Sequence, residues 1–96
     1  MSMIDEAVAA LSAKLAGGFD GSAKFVIEGE GAVIVDGGGV RAADYGDDAD
    51  VTMTASVDTF QGILSGDVNP AIAFMSGKLT VDGDMGLAMQ LASVLS

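Results

Sequence analysis

Residues 69–91, NPAIAFMSGKLTVDGDMGLAMQL, carry three structural signals in close succession. Asn69 followed by Pro70 predicts a helix start, because Asn caps free backbone amides and Pro suits the first helical position. Residues 78–82 alternate between polar and apolar side chains, which predicts a strand. A turn at Gly83 and an N-cap at Asp84 then lead into a C-terminal helix. The segment therefore predicts a helix, a strand and a second helix.

The predicted C-terminal helix, residues 85–95, is apolar on nearly all of its sides. Gln90 and Ser93 are its clearly polar residues. A helix of this kind must be covered on most sides. Two explanations stay open, because exposed apolar patches mark ligand sites and protein contacts alike. Either the helix lies over a ligand cavity, or it packs against a partner chain.

Two further helices are predicted upstream. The first has Ser2 as its N-cap, carries apolar residues at helical spacing and ends at Gly17-Gly18. The second has Ser56 as its N-cap and ends at Ser65-Gly66. Each has one apolar stripe, so we expect both to lie on an apolar surface.

Between these helices the periodicity changes to that of strands. Four strands are predicted, at residues 23–28, 32–36, 40–45 and 49–55, and short glycine-rich or acidic turns join them. Consecutive strands with short connections predict an antiparallel meander. With the strand at 78–82, the chain is predicted to be α+β, a five-stranded, mainly antiparallel sheet with helices covering one face. Its 96 residues suffice for one domain, residues 1–96.

The sequence contains no Cys and no His. Thiolate nucleophiles, zinc–thiolate sites, the usual general base and the commonest metal ligand are therefore missing. A carboxylate-only enzyme would need two acids in one cleft, and no such pair can be assigned from the sequence. We therefore expect a protein that is not an enzyme and uses no metal or cofactor.

The charge balance is strongly acidic, with four Lys and Arg against fourteen Asp and Glu and a net charge of −10. Nucleic acids and anionic lipid surfaces are bound mainly through Lys and Arg, so we expect neither as a partner. No apolar run approaches the ~20 residues of a membrane span, and the first residues lack the basic region of a signal peptide. We expect no stable membrane insertion and a cytoplasmic location.

Two polar features are candidate sites. The four aspartates within residues 44–50 could offer oxygen ligands to calcium, but their spacing differs from an EF-hand, and a solvated acidic loop is favoured. Arg41 could bind a carboxylate or phosphate of a ligand through its planar fork. A cross-strand ion pair with Glu28 or Asp36 is the favoured interpretation, since such pairs are routine in sheets.

A set of motifs covers most of the chain. They are Asn69-Pro70, Ala73-Phe74, Gly77-Lys78-Leu79 and the run GDMGLAM at residues 83–89, with Ala49-Asp50-Val51-Thr52-Met53-Thr54, Phe60, Leu64 and Ser65-Gly66 upstream. In these features the chain closely resembles the sterol carrier protein type-2 family. The resemblance implies a five-stranded sheet with helices over one face, enclosing an apolar tunnel for fatty acids, fatty acyl-CoA, sterols or phospholipid. The family occurs both free-standing and fused to lipid-metabolising enzymes, which favours a binding role.

The predicted function is therefore non-catalytic binding or carriage of an apolar lipid in an internal cavity. Its candidate lining residues are Phe60, Ile63, Leu64, Phe74, Met75, Leu87, Met89 and Leu91. The alternative is an interaction domain whose apolar C-terminal helix forms a homodimer or contacts another protein, such as a lipid-metabolising enzyme.

Overall fold

The structure is a computed structural model that describes residues 3–15, 19 and 21–95. Its helices and strands follow the predicted order. They are α1 (Met3–Lys14), β1 (Ala23–Ile27), β2 (Gly31–Asp36), β3 (Gly39–Ala43), β4 (Val51–Ala55), α2 (Val57–Ser65), α3 (Pro70–Met75), β5 (Leu79–Gly83) and α4 (Met85–Leu95). The predicted cap at Ser2 and the predicted stop at Gly17-Gly18 lie outside the described residues.

The helix starts have the predicted local chemistry. The Asn69 Oδ1 atom accepts hydrogen bonds from the backbone amides of Ala71 at 2.8 Å and Ile72 at 3.3 Å. The Ser56 Oγ atom accepts one from the amide at the start of α2, and the Asp84 Oδ1 atom does the same for α4. These side chains satisfy amides that have no partner within the helix itself.

The five strands form one sheet in the order β3-β2-β1-β4-β5. Three neighbouring pairs are antiparallel, whereas β1 and β4 are parallel. The sheet is therefore mainly antiparallel, as predicted, but the prediction of a simple meander is wrong at β4. A meander would place β4 beside β3, yet β4 lies beside β1. Alternate residues of β4 are buried while β3 is partly exposed and carries Arg41, so the more apolar strand occupies the interior of the sheet.

Residues 44–50 carry the chain across the sheet from β3 to β4. The Lys24 ammonium holds this crossover segment by donating hydrogen bonds to the backbone carbonyls of Tyr45 at 2.6 Å and Asp47 at 2.7 Å. Only 8% of the surface of Lys24 is exposed to solvent, so its ammonium group needs hydrogen-bond partners from the protein. The two carbonyls supply them. This contact accounts for a buried Lys in the middle of an apolar strand.

The helices pack on one face of the sheet. Helix α1 lies against β2 and β3, and α4 lies against β4 and β5, while α2 contacts α1 and α3 contacts β5 and α4. The rings of Phe25 and Phe60 meet edge to face, with centroids 5.6 Å apart, and join β1 to α2. The predicted class is confirmed: an α+β fold with helices over one face of a five-stranded sheet.

Candidate functional site

An apolar pocket lies between α3, α4 and the adjoining strands β4 and β5. Its cavity volume is about 200 Å³. All of its lining residues are apolar: Met53, Pro70, Ala71, Phe74, Met75, Leu79, Val81, Met85, Ala88, Met89 and Ala92. Because no lining side chain is ionisable, the pocket is suited to hold an apolar body by burial rather than to perform proton or group transfer.

The sheet forms the floor of the pocket. Met53 of β4 is in register with Val81 of β5, and Leu79 is two residues away on the same face. Met53 and Leu79 are buried, whereas Val81 is partly exposed. The alternation of β4 and β5 therefore turns one apolar side chain after another towards the two covering helices.

The two helices form the walls and the rim. On each helix the lining residues recur at intervals of three and four, so they share one face. Met75 is 83% exposed and Met89 is 71% exposed, and Phe74 and Met85 are also exposed. The pocket consequently opens to the surface through a rim of large apolar side chains. Methionine has three rotatable bonds and a polarisable thioether, so this rim can adapt to differently shaped ligands.

Three of the eight residues predicted to line a cavity are found in this pocket, namely Phe74, Met75 and Met89. The structure places the other five elsewhere. Phe60, Ile63 and Leu91 belong to the buried core, and Leu64 and Leu87 pack against it. These five side chains already have protein neighbours on the core side of α2 and α4, so their contact with a ligand stays a prediction.

The sequence interpretation missed most of the lining residues. The missed residues are Met53, Pro70, Ala71, Leu79, Val81, Met85, Ala88 and Ala92. The alternation of β4 and β5 could have indicated the floor, since Met53, Leu79 and Val81 fall on one face. The helix start at Pro70 and the three-to-four spacing of residues 85–92 could have indicated the walls.

Arg41 takes part in the favoured ion pair and lies far from this pocket along the sheet. Its guanidinium binds the Asp36 carboxylate through two bonds, of 2.8 Å from Nη2 and 3.1 Å from Nη1. The hydrogen bond from Arg41, together with one from the Gly38 amide, holds the pKa of Asp36 below its ordinary value. The interpretation of Arg41 as a cross-strand ion-pair partner is confirmed.

The acidic segment 44–50 is tied into local hydrogen bonds. The Asp47 carboxylate accepts a bond from the Asp44 amide, and Asp50 exchanges two bonds with Ser22. Within residues 3–15, 19 and 21–95, no group of three acidic side chains is placed to hold a metal ion. Over the same residues, no helix has the length and apolarity needed to cross a membrane.

The similarity of this chain to known proteins extends over nearly its whole length. Residues 4–96 match the profile of the SCP-2 sterol transfer family. The chain belongs to this family. A curated relative, the hydroxysteroid dehydrogenase-like protein 2 of Bos taurus, is 42% identical over 60 residues. The matched stretch is 62% of this SCP-2 family chain but only 14% of the bovine protein.

Solved structures of the family share the fold. The solution structure of sterol carrier protein 2 from Aedes aegypti in complex with palmitate is 24% identical, with a TM-score of 0.79, and the alignment covers 100% of this chain and 97% of that one. Palmitated SCP2L2 from Aedes aegypti is 26% identical, with a TM-score of 0.69, and 99% of this chain and 95% of that chain are covered.

Proposed function

We propose that this chain is a non-catalytic lipid-binding domain that holds an acyl chain, or another apolar body, in the pocket between α3, α4 and the strands β4 and β5. One observation carries the proposal: an open pocket of about 200 Å³ lined entirely by apolar residues. Each methylene moved from water into such a pocket contributes about 0.8 kcal/mol. A long chain therefore gains useful affinity without any catalytic residue.

Membership of the family supports this proposal. A relative with 26% identity is described with palmitate attached or bound, and this chain has an apolar pocket in the shared fold. Fatty acids, acyl-CoA, sterols and phospholipids are the candidate ligands. Their apolar parts would occupy the pocket, and the polar head would stay at the rim formed by Met75, Met85 and Met89.

A carrier role beside a lipid-metabolising enzyme, in the cytoplasm, completes the proposal. The bovine relative is named as dehydrogenase-like, and the stretch that matches this chain is a small part of that protein. The lining residues of this chain offer no nucleophile and no general base, and the sequence has no Cys or His. We therefore assign binding to this chain and leave chemistry to a partner or fused enzyme.

A second candidate function is protein association through the outer surface of α3 and α4. Ile72 is 65% exposed and lies outside the pocket lining, close in sequence to the exposed Phe74 and Met75. A homodimer or an enzyme partner could cover this patch. Analytical ultracentrifugation over a range of concentrations tests it, since a dimer would dissociate on dilution.

The experiment that tests lipid binding is a competition titration. A hexadecyl probe with a fluorescent label should bind saturably at one site per chain, and unlabelled fatty acid, acyl-CoA, sterol and fatty alcohol should be compared as competitors. If the probe does not bind saturably, the four unlabelled lipids are titrated directly. Absence of saturable binding for all five compounds would refute the lipid-binding proposal. It would favour protein association instead.

A further inference from the structure

The cation nearest the middle of the sheet points away from the pocket. Lys24 is followed by Phe25, which is in register with the floor residue Met53. Because side chains alternate along a strand, Lys24 lies on the opposite face from that floor. Its ammonium is already bound to two backbone carbonyls of the crossover segment. It is therefore not available to a lipid head group at the rim.

Arg41 is also not placed to bind a lipid head group at the rim. It is in register with Ile34, which is in register with Lys24, so all three lie on the face opposite the pocket. Its strand β3 is one edge of the sheet, and β5, beside the pocket, is the other edge. Its Nη1 and Nη2 atoms both donate hydrogen bonds to the Asp36 carboxylate.

The remaining two cations are Lys14 and Lys78. Lys14 is in the last turn of α1, which lies over β2 and β3 rather than over the pocket strands. Lys78 is exposed and directly precedes the lining residue Leu79. Of the four Lys and Arg in the sequence, all within the described part of the chain, Lys78 alone adjoins a lining residue along the chain.

An acidic side chain also lies next to a rim residue along the chain. Asp84 directly precedes the rim residue Met85 and caps α4. Asp82 follows the floor residue Val81, but it is in register with Thr52, which is in register with Lys24, so it lies on the opposite face of the sheet. The chain as a whole carries a net charge of −10. A carboxylate or phosphate at the rim would lose water without gaining a charged donor from the lining, and it would meet a field of its own sign.

We infer that the pocket selects lipids with uncharged head groups, such as fatty alcohols and acylglycerols, over lipids with anionic head groups, such as fatty acids and acyl-CoA. This selectivity rests on the proposed function, because it presupposes that a lipid occupies the pocket. An uncharged head gives up little hydration at the rim and is not repelled by the acidic surface. The apolar chain contributes equally to both classes, so the head group decides the difference.

The test compares two ligands of equal chain length, 1-dodecanol and dodecanoate, by displacement of an uncharged fluorescent probe at pH 8. Dodecanoate is ionised there, since carboxyl groups ordinarily titrate near pH 4 to 5. At 10 mM salt we expect dodecanoate to bind at least about tenfold more weakly than dodecanol. At 150 mM salt the gap should narrow, because the screening length falls from about 30 Å to about 8 Å.

Two matched variants remove one positive charge each. Lys78→Gln removes the cation beside the lining, and Lys14→Gln removes one on α1. We expect both variants to change dodecanoate affinity by a similar factor, below about threefold. A loss of tenfold or more in Lys78→Gln alone would identify Lys78 as a head-group clamp and overturn the inference.

Two other outcomes separate the inference from the function on which it rests. If dodecanol binds but dodecanoate binds as tightly, or loses affinity as salt is raised, the head-group selectivity is wrong and lipid binding stands. If the probe and both ligands show no saturable binding, the proposed function fails, and the selectivity fails with it.

Discussion

Methionine supplies both the floor and much of the rim of the pocket. Met53, in strand β4, is buried at the floor, whereas Met75, Met85 and Met89 are exposed around the opening. Because a methionine side chain changes shape at little energetic expense, a rim of this composition can close over ligands of different width. The proposed lipid-binding function accounts for these exposed methionines as side chains that contact the ligand.

The first prediction concerns Met89. Since its side chain is 71% exposed, Met89→Ala should change the stability of the ligand-free protein by less than about 0.5 kcal/mol. The variant loses apolar contact with the ligand, so its lipid Kd should rise about tenfold, corresponding to about 1.4 kcal/mol. Thermal melting and a binding titration on the same variant measure both quantities.

Ile72→Ala is the control for Met89→Ala, because Ile72 is similarly exposed and lies outside the lining. It should leave lipid affinity within about twofold of the parent. An unchanged affinity in Met89→Ala, together with dissociation of a dimer, would show that α4 forms an interface instead.

The second prediction concerns the pKa of Asp36 and the stability of the fold at acidic pH. The hydrogen bond from Arg41 lowers the pKa of Asp36 in the folded protein. A group with a depressed folded pKa stabilises the fold above its unfolded pKa, and that contribution disappears as pH falls through the folded pKa. An NMR titration should place the Asp36 carboxyl below the ordinary range of aspartate, and Arg41→Gln should raise its pKa. An unchanged midpoint in the variant would contradict the assigned cause.

At the scale of secondary-structure elements, the crossover from β3 to β4 sets the strand order. The segment 44–50 passes the face of the sheet opposite the helices, and Lys24 is its charged anchor. Ser22 and Asp50 fasten its end beside β1 through two hydrogen bonds. These contacts allow β4 to run parallel to β1 without an intervening helix.

The third prediction follows from that anchor. Lys24→Met keeps the length of the side chain but leaves the carbonyls of Tyr45 and Asp47 without their donor. We expect the free energy of unfolding to fall by about 1.5–3 kcal/mol, the usual contribution of hydrogen bonds to a charged group. Hydrogen exchange should become faster in residues 44–50. Lys14→Met, at an exposed position, is the control, and equal effects of the two variants would disprove the anchoring role.

Local chemistry made much of the fold predictable. Several predicted features depend on neighbours in sequence and occur in the structure. They are the Asn69-Pro70 start, the caps at Ser56 and Asp84 and the alternation of β4. The pairing of β4 with β1 was missed because no local pattern states which strand lies beside which. The strand pairing is instead associated with a contact between distant residues: the buried Lys24 donates hydrogen bonds to a loop more than twenty residues away.

The pocket was less predictable than the fold. Helix α4 is apolar nearly all round, so its composition does not distinguish the side that faces the core from the side that faces the cavity. Leu91 was assigned to the cavity and is completely buried in the core, whereas Met85 and Ala88 line the pocket. The helix's orientation is set by contacts with α3, β4 and β5, which only the three-dimensional structure shows.

At the scale of the whole molecule, the net charge of −10 sets the sign of the electrostatic interaction with anionic membranes. The fourth prediction is weak binding to vesicles that contain anionic phospholipid, because the electrostatic contribution is repulsive. Co-sedimentation at physiological salt should recover little protein with such vesicles. Tight binding that weakens as salt is added would reveal a basic surface and contradict this expectation.

The measurement that tests the central claim most directly is an NMR titration of methyl-labelled Met and Ile residues with 1-dodecanol. We expect the methyls of Met53, Met75, Met85 and Met89 to shift saturably with one ligand per chain. The Ile34 methyl, buried on the opposite face of the sheet, should not move. Shifts centred on Ile63, a core residue of α2, would place the lipid elsewhere. The absence of saturable shifts would contradict lipid binding itself.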